Sequence, residues 1–131
     1  MIVLDTHTWL WWASNPKNLS PPARKIIDST VESGEILISS ISAWEIALLV
    51  AKGRLQLTIE VSDWIAKSER LPFVTFIPVD NAIAVKSVSL PQPLHNDPAD
   101  RIIVATATIV GASLVTKDER ILNYPHVKTI W

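Results

Sequence analysis

The stretch HNDPADRIIVATATIV, residues 95–110, joins the start of a helix to a long apolar segment. Asp97 is a residue type favoured at the N-cap, and Pro98 suits the first helical position, where its missing N–H has no partner to lose. Asp100 then occupies the third helical position, and the i+3 spacing places it on the same face as Ile103. We therefore expect a buried helix whose first turn carries the Asp100 carboxylate at the edge of the packed interior.

The composition is that of a globular chain of 131 residues, with 48% hydrophobic and 19% charged residues. A chain of about this length buries roughly two-thirds of its unfolded surface, so we expect one domain, residues 1–131, with a substantial core. The lack of cysteine excludes disulfides, thiolate nucleophiles and cysteine-based zinc sites. Asp5 places an acid where a signal peptide would carry basic residues. No apolar run approaches the ~20 residues that a membrane span requires. We therefore expect a soluble, cytoplasmic protein without a membrane partner.

Short β-rich apolar runs alternate with helical segments along the chain. Strands separated by helices form right-handed β-α-β units, which predicts an α/β fold of three layers, with a central, mainly parallel sheet of four to five strands between two helical layers. The predicted strands are residues 2–4, 35–39, 74–78, 112–116 and 127–130.

Four carboxylates from distant parts of the chain are expected at one edge of this sheet. Asp5 and Asp118 each follow a predicted strand directly, and sites in parallel sheets lie outside the carboxyl ends of the strands. Glu45 and Asp100 lie in the first turns of helices that face the same edge. The topology of the sheet therefore brings the four acids together.

Oxygen ligands without cysteine suit a hard divalent cation, Mg²⁺ or Mn²⁺. Such a cation is normally held by one or two carboxylates together with substrate phosphates, so the acids predict phosphoryl chemistry. The three histidines, His7, His95 and His126, do not have the spacing of metal ligands. His7 and His95 are therefore interpreted as loop or helix-start residues. All three glycines are interpreted as helix caps, so a nucleotide-binding P-loop is not expected.

Two interpretations of Glu45 stay open at this point. Glu45 is the only acid of an apolar helix over residues 41–52, whose N-cap is predicted at Ser40 or Ser42. A buried ionised carboxylate is costly unless it is paired or bound to a metal. Glu45 therefore either belongs to the site, or pairs with Lys52 or lies exposed on the edge of its helix.

Three tryptophans lie close together in the first predicted helix, residues 6–14. Such a cluster can form a base-stacking surface. We favour the structural interpretation, in which Trp9 and Trp12 belong to the core and Trp11 packs on neighbouring side chains or on a second subunit.

The net charge of −1 does not exclude a nucleic-acid partner. If Asp5, Glu45, Asp97, Asp100 and Asp118 lie at one metal site, removing these five from the 13 acids leaves eight against 12 Lys and Arg, a balance of +4. The surface outside the site can therefore attract phosphates.

Taken together, these segments resemble the PIN-domain ribonucleases of the VapC toxin type. The resemblance covers essentially the whole chain and depends on the order and spacing of several short pieces. The pieces are LDTH at residues 4–7, LWW at 10–12, SAWEIA at 42–47, LP at 90–91, HNDPADR at 95–101, LVTKD at 114–118 and IW at 130–131.

The resemblance implies a PIN-like fold and a Mg²⁺- or Mn²⁺-dependent endoribonuclease that hydrolyses RNA phosphodiester bonds. It also implies a homodimer and a cognate VapB-type antitoxin that blocks the site. The catalytic and metal-holding residues it implies are Asp5, Glu45, Asp100 and Asp118, of which Asp5 and Asp100 are the firmest ligands and Asp118 is more peripheral.

Three further residues have supporting roles in this resemblance. Thr116 would hold Asp118 by a hydrogen bond, and Thr6 would also support the site. Asp97 belongs to the same motif, although its cap role accounts for it without any contact to metal.

The sequence departs from the family pattern at two positions. The position one turn after Glu45 is usually lysine and is Leu49 here, so other residues must supply positive charge for RNA. The position before Asp100 is usually aromatic and is Ala99 here, which affects local packing. The candidates for RNA binding that remain are Lys52, Arg54 and Lys117.

Two other functions remain open from the sequence. A catalytically inactive PIN-like module that binds only RNA or protein would gain nothing from four clustered acids, because these repel a polyanion. A receiver-like phospho-acceptor domain would use Asp80 and Lys117, which follow the third and fourth predicted strands. That fold requires a pair of acids after the first strand, where this chain has only Asp5.

Overall fold

In the computed structural model, which describes residues 1–131, a five-stranded parallel sheet lies between two layers of helices. The expected three-layer α/β/α architecture is confirmed. No helix combines the length and apolar character needed to cross a membrane. The strands, in the order β3-β2-β1-β4-β5, are β1 Ile2–Leu4, β2 Ile36–Ser39, β3 Val74–Ile77, β4 Ser113–Val115 and β5 Thr129–Ile130.

Seven helices connect the strands, with a short 3-10 turn at Pro16–Asn18 between the first two. They are α1 Thr6–Ser14, α2 Pro21–Ser33, α3 Ser40–Ala51, α4 Val61–Glu69, α5 Asn81–Ser89, α6 Pro98–Val110 and α7 Glu119–Leu122.

Strand β1 occupies the centre of the sheet and pairs with β2 on one side and β4 on the other, so that Val3 lies opposite Leu37 and Leu114. Because all three strands run in the same direction, the residues that follow them emerge at one edge. The backbone N–H of Asp5 still donates to the Val115 carbonyl at 3.2 Å. The residue after β1 is therefore held directly beside β4.

Alternation along the strands divides the interior into two cores, one on each face of the sheet. Val3 and Leu114 face the core that contains Ile103 of α6. Leu4 faces the core that contains Trp9 of α1, whose side chain is fully buried. The continuous burial of these strands is typical of parallel sheets covered on both faces.

The three tryptophans of α1 lie in the different environments that the sequence predicts. Trp9 lies in the core, and its indole N–H donates to Ser68 at 2.9 Å. Trp12 is half-buried against the same core, 6.2 Å from the Phe73 ring. Trp11 is half-buried and packs against Trp131 at a ring distance of 5.8 Å.

The predicted N-cap of α3 at Ser40 or Ser42 was wrong. Strand β2 continues into α3 without a loop, so the last strand residue, Ser39, is the cap, and its hydroxyl accepts from the backbone N–H of Ile41 at 3.2 Å. Ser42 is buried one turn further on and contacts the hydroxyl of Thr6 instead.

Helix α6 begins as the sequence predicts. The Asp97 carboxylate accepts from the backbone N–H of Asp100 at 2.9 Å, and Gly111 ends the helix in the left-handed region, at φ 71°. Arg101 points away from the sheet edge and donates to the backbone carbonyls of Ser87 and Leu94, at 2.9 and 3.1 Å. It ties the start of α6 to the end of α5.

The capping role of Asp97 can be tested separately from any role of Asp97 in a reaction. Asp97→Ala should lower the free energy of unfolding by about 1 kcal/mol, because the Asp100 N–H loses its acceptor. Asp97→Asn keeps a side-chain oxygen at the cap and should unfold like the wild type. Urea unfolding of the two variants checks this, and equal loss in both would contradict the assignment.

Candidate active site

The carboxyl edge of β1, β2 and β4 forms an open pocket of about 540 Å³, the acidic pocket. The structure brings together here all four acids predicted for the site, together with Asp97. Lys52 and Arg54 do not line it, because Lys52 follows the far end of α3 and Arg54 lies beyond the turn at Gly53. The lining residues are Asp5, Thr6, His7, Trp11, Glu45, Asp97, Asp100, Lys117, Asp118, Glu119 and Arg120.

Asp5 is the deepest acid of the pocket, with 9% of its surface exposed. One carboxylate oxygen accepts from the backbone N–H of Thr8 at 2.9 Å, which caps α1, and the other accepts from the hydroxyl of Thr116. Burial nevertheless raises the pKa of Asp5, since these bonds only partly replace the lost hydration. The Asp5 carboxylate is therefore held in one orientation, and its ionisation costs more free energy than it would in water.

Thr116 contacts the site differently from the expectation. Its hydroxyl donates to Asp5, and the same oxygen accepts from the backbone N–H of Asp118 at 3.0 Å. The contact with Asp118 thus involves the backbone and not the carboxylate. Thr116 connects the ends of β1 and β4.

Glu45 points into the pocket and does not pair with Lys52, which is exposed. The hydroxyl of Thr6 donates to Glu45 Oε1 at 2.5 Å and lies 2.9 Å from the hydroxyl of Ser42. Burial, and to a smaller extent the nearby Asp100, raises the pKa of Glu45. The site interpretation of Glu45 is therefore the one that matches its position.

His95 lies in the site, which its sequence spacing did not indicate. Its Nε2 is 2.7 Å from Asp100 Oδ2, while its Nδ1 is buried without a partner. An ionised carboxylate only accepts, so Nε2 carries a proton and donates to Asp100. His95 therefore orients Asp100, whose pKa is still raised by burial.

Asp118 is the most exposed of the four acids and the N-cap of the short helix α7. Arg120 binds both of its oxygens, at 2.8 Å through Nη2 and 3.2 Å through Nε, and these contacts lower the pKa of Asp118. The same Nη2 lies 3.5 Å from Asp100 Oδ2. Sequence reasoning missed Arg120, although its position two residues after a capping acid is a signal for such a contact.

The donor set fits a divalent cation. Ligand atoms of His95, Asp100 and Asp118 all lie within 4.8 Å of one another. Since Nε2 of His95 is engaged with Asp100, the groups left for a cation are carboxylate oxygens, which hard ions prefer. Six acids line the pocket against two basic side chains, Lys117 and Arg120, so negative charge is in excess and a cation relieves it.

The chain matches the family model of the PIN domain over residues 2–127. It is also 35% identical to Ribonuclease VapC22 of Mycobacterium tuberculosis over 132 aligned positions, covering 99% of this chain and 98% of that protein. This chain belongs to the PIN-domain family. The resemblance drawn from the sequence motifs is thereby confirmed.

Solved structures agree on the PIN fold. VapBC2 from Rickettsia felis, bound to a DNA fragment from its promoter, superposes with a TM-score of 0.69 at 18% identity, covering 98% of this chain and 97% of that chain. A toxin–antitoxin complex from Klebsiella pneumoniae gives a TM-score of 0.65 at 21% identity, covering 97% and 95%. At these identities the likeness concerns the fold.

The receiver-like alternative does not match this PIN-domain chain. The strand order β3-β2-β1-β4-β5 differs from the order 2-1-3-4-5 of flavodoxin-like sheets. Asp80 caps α5 by accepting from the backbone N–H of Ile83 at 2.9 Å. It follows the edge strand β3 and lies outside the acidic pocket, so it has no partner acid of the kind a phospho-acceptor requires.

The raised pKa of Asp100 predicts a stability that depends on pH. The folded state binds this proton more tightly than the unfolded state, so stability falls as the pH rises from the ordinary value of 3.8 through the raised pKa. Asp100→Asn removes this loss and should be more stable than the wild type in EDTA near pH 8, with the difference shrinking toward pH 4.

Urea unfolding across this pH range measures the effect. The matched control is Asp28→Asn, which removes one carboxylate from the exposed surface of α2, outside the acidic pocket. A difference between Asp100→Asn and wild type that is constant with pH would contradict the pKa direction.

Proposed function

We propose that this PIN-domain chain is a metal-dependent endoribonuclease, the toxin of a toxin–antitoxin pair, acting in the cytoplasm. The observation that supports this most strongly is the convergence of four acids at the carboxyl edge of the sheet. The similarity to a relative named as a ribonuclease over nearly the whole chain supports the same reaction. The proposed catalytic residues are Asp5, Glu45, Asp100 and Asp118.

A divalent cation, Mg²⁺ or Mn²⁺, would polarise the scissile phosphate and lower the pKa of a water molecule at this site. Asp5 and Asp100 are the proposed principal ligands. Thr8 and Thr116 hold the Asp5 carboxylate in one orientation. His95 engages Oδ2 of Asp100 and leaves Oδ1 without a hydrogen-bond partner in the protein, which makes Oδ1 the oxygen available for coordination.

Glu45 is the proposed proton acceptor for the attacking water. Thr6 donates to its Oε1, whereas Oε2 has no hydrogen-bond partner in the protein and is free to take a proton. A raised pKa suits this role, because a base that binds its proton more tightly removes it from water more readily. Asp118, whose oxygens are engaged by Arg120, is the more peripheral group.

An antitoxin of the VapB type is the proposed inhibitor. The fold is shared with a toxin–antitoxin complex and with VapBC2, which supports a partner of this class for the chain. The homodimer implied by the family resemblance stays a prediction.

Removing a proposed ligand should abolish cleavage with little loss of structure. Asp5→Asn and Asp100→Asn each take one negative charge from the site, and we expect a loss of at least about 100-fold in RNA cleavage, the upper range seen for groups that only orient metal ligands. Cleavage of a structured RNA by the purified, antitoxin-free protein, followed on denaturing gels with Mg²⁺ or with EDTA, gives the measurement.

The matched control is Asp97→Asn, which keeps the helix cap and should retain most of the activity. Cleavage that persists in EDTA would overturn the metal dependence. Titration calorimetry with Mn²⁺ tests the alternative function, an inactive module that only binds RNA or protein. A protein that has no saturable Mn²⁺ site and does not cleave RNA would be such a module.

Inhibition by the partner has its own expected outcome. Expression of the chain in a bacterial host should arrest growth, and co-expression of its VapB-type antitoxin should restore it. Asp100→Asn should permit growth without that partner. Arrest by Asp100→Asn at the same protein level would argue against ribonuclease toxicity.

A further inference from the structure

The acidic pocket has one tryptophan in its lining, Trp11, and the proposed reaction does not use it. Its ring lies 5.7 Å from the His7 ring, and the ammonium of Lys117 lies 5.8 Å from its ring centroid. His7 and Lys117 are exposed, and Trp11 is half-buried. We call these three residues the aromatic rim.

The position of Trp11 follows from the geometry of α1. Trp9 fills the core, and a residue two positions later points about 200° away around the helix, so Trp11 cannot share that core. Its ring instead forms the ridge between the acidic pocket and an apolar groove lined by Leu57 and Trp64. Contact with Trp131 supports the ring from the side. A flat, supported aromatic surface therefore borders the acids.

The charges of the pocket make Lys117 distinctive. Six acids line the pocket, and a phosphate chain approaching them requires cations. Arg120 is already engaged with Asp118 and Asp100. Lys117 forms no ion pair, and its ammonium rests over the Trp11 ring at the end of a flexible stem. It is the lining cation that can move to a phosphate without breaking a salt bridge.

We propose, on the basis of the proposed function, that the aromatic rim binds one unpaired nucleotide of RNA next to the phosphodiester held at the acids. The base stacks on Trp11 beside His7, and the Lys117 ammonium leaves the ring face to contact the adjacent phosphate. Bases within a duplex are stacked on each other and cannot take this position. The rim is therefore a recognition element for the nucleotide next to the cleaved bond.

The test measures binding separately from cleavage. The probe is a short fluorescein-labelled 2′-O-methyl RNA, single-stranded or annealed to its complement, and the readout is anisotropy. The wild type should prefer the single strand. Trp11→Leu should weaken single-strand binding about ten-fold, within the range for loss of one base stack, whereas Trp11→Phe keeps an aromatic face and should stay within about two-fold.

Lys117 supplies an independent readout. Lys117→Met should reduce the slope of log affinity against log salt by about 0.7, the value for one phosphate contact on a single strand, and Lys117→Arg should keep the slope. The matched control is Trp12→Leu, a half-buried tryptophan of the same helix outside the acidic pocket, which should bind like the wild type. Urea unfolding establishes that each variant is folded, and if Trp11→Leu is not, the Lys117 pair decides.

Unchanged binding by Trp11→Leu and an unchanged salt slope for Lys117→Met would overturn the inference, as would a preference for the duplex. Loss of antitoxin binding with unaltered RNA binding would assign the rim to a protein partner and overturn it as well. Binding that depends on Trp11 in a protein that never cleaves RNA would support the rim and refute the proposed function. Cleavage of RNA by the wild type, with RNA binding that does not depend on Trp11, would support the proposed function and refute the rim.

Discussion

The burial of Asp5 at the end of the central strand is the constraint on which the rest of this structure depends. A buried carboxylate is costly in free energy unless hydrogen bonds or a cation replace its hydration. Here the Thr8 N–H and the Thr116 hydroxyl supply the hydrogen bonds, and each comes from a different element beside β1. The hydrogen bonds that stabilise this acid therefore depend on the packing of β4 and α1 beside β1.

The acids of the pocket also take part in the secondary structure that positions them. Asp5 caps α1, Asp97 caps α6 and Asp118 caps α7, while Asp100 lies in the first turn of α6. Helix N-termini carry partial positive charge and unpaired N–H groups, which stabilise carboxylates next to them. The sheet edge therefore collects helix starts and acids together, and a cluster of negative charge is tolerated where an isolated sheet edge would not support it.

The sequence allowed prediction of those features that depend on periodicity and topology. Alternating strands and helices predict a parallel sheet, and the carboxyl-edge rule brings Asp5 and Asp118 to one place without any knowledge of side-chain contacts. His95 and Arg120 were missed because their contacts depend on the path of a loop and on a rotamer in a one-turn helix, which spacing rules do not describe. The cap at Ser39 was missed because β2 runs into α3 without a loop. Lys52 and Arg54 lie outside the acidic pocket, because they follow the end of α3 that is far from the sheet edge, and their role in RNA binding stays a prediction.

The four acids of the proposed site lie in two different electrostatic environments, an inner group of Asp5, Glu45 and Asp100 and an outer pair of Asp118 with Arg120. Burial raises the pKa of Asp5, Glu45 and Asp100, so each ionises at a cost. Arg120 lowers the pKa of Asp118, which therefore stays ionised without help from a metal. A cation stabilises an arrangement of acids most where their charge is least compensated, and here that is the inner group. The outer pair of half-buried Asp118 and exposed Arg120 is nearly neutral, so it repels an approaching phosphate chain less than the inner acids do. The inner acids suit metal binding and the outer pair, with the aromatic rim, suits contact with a polyanion.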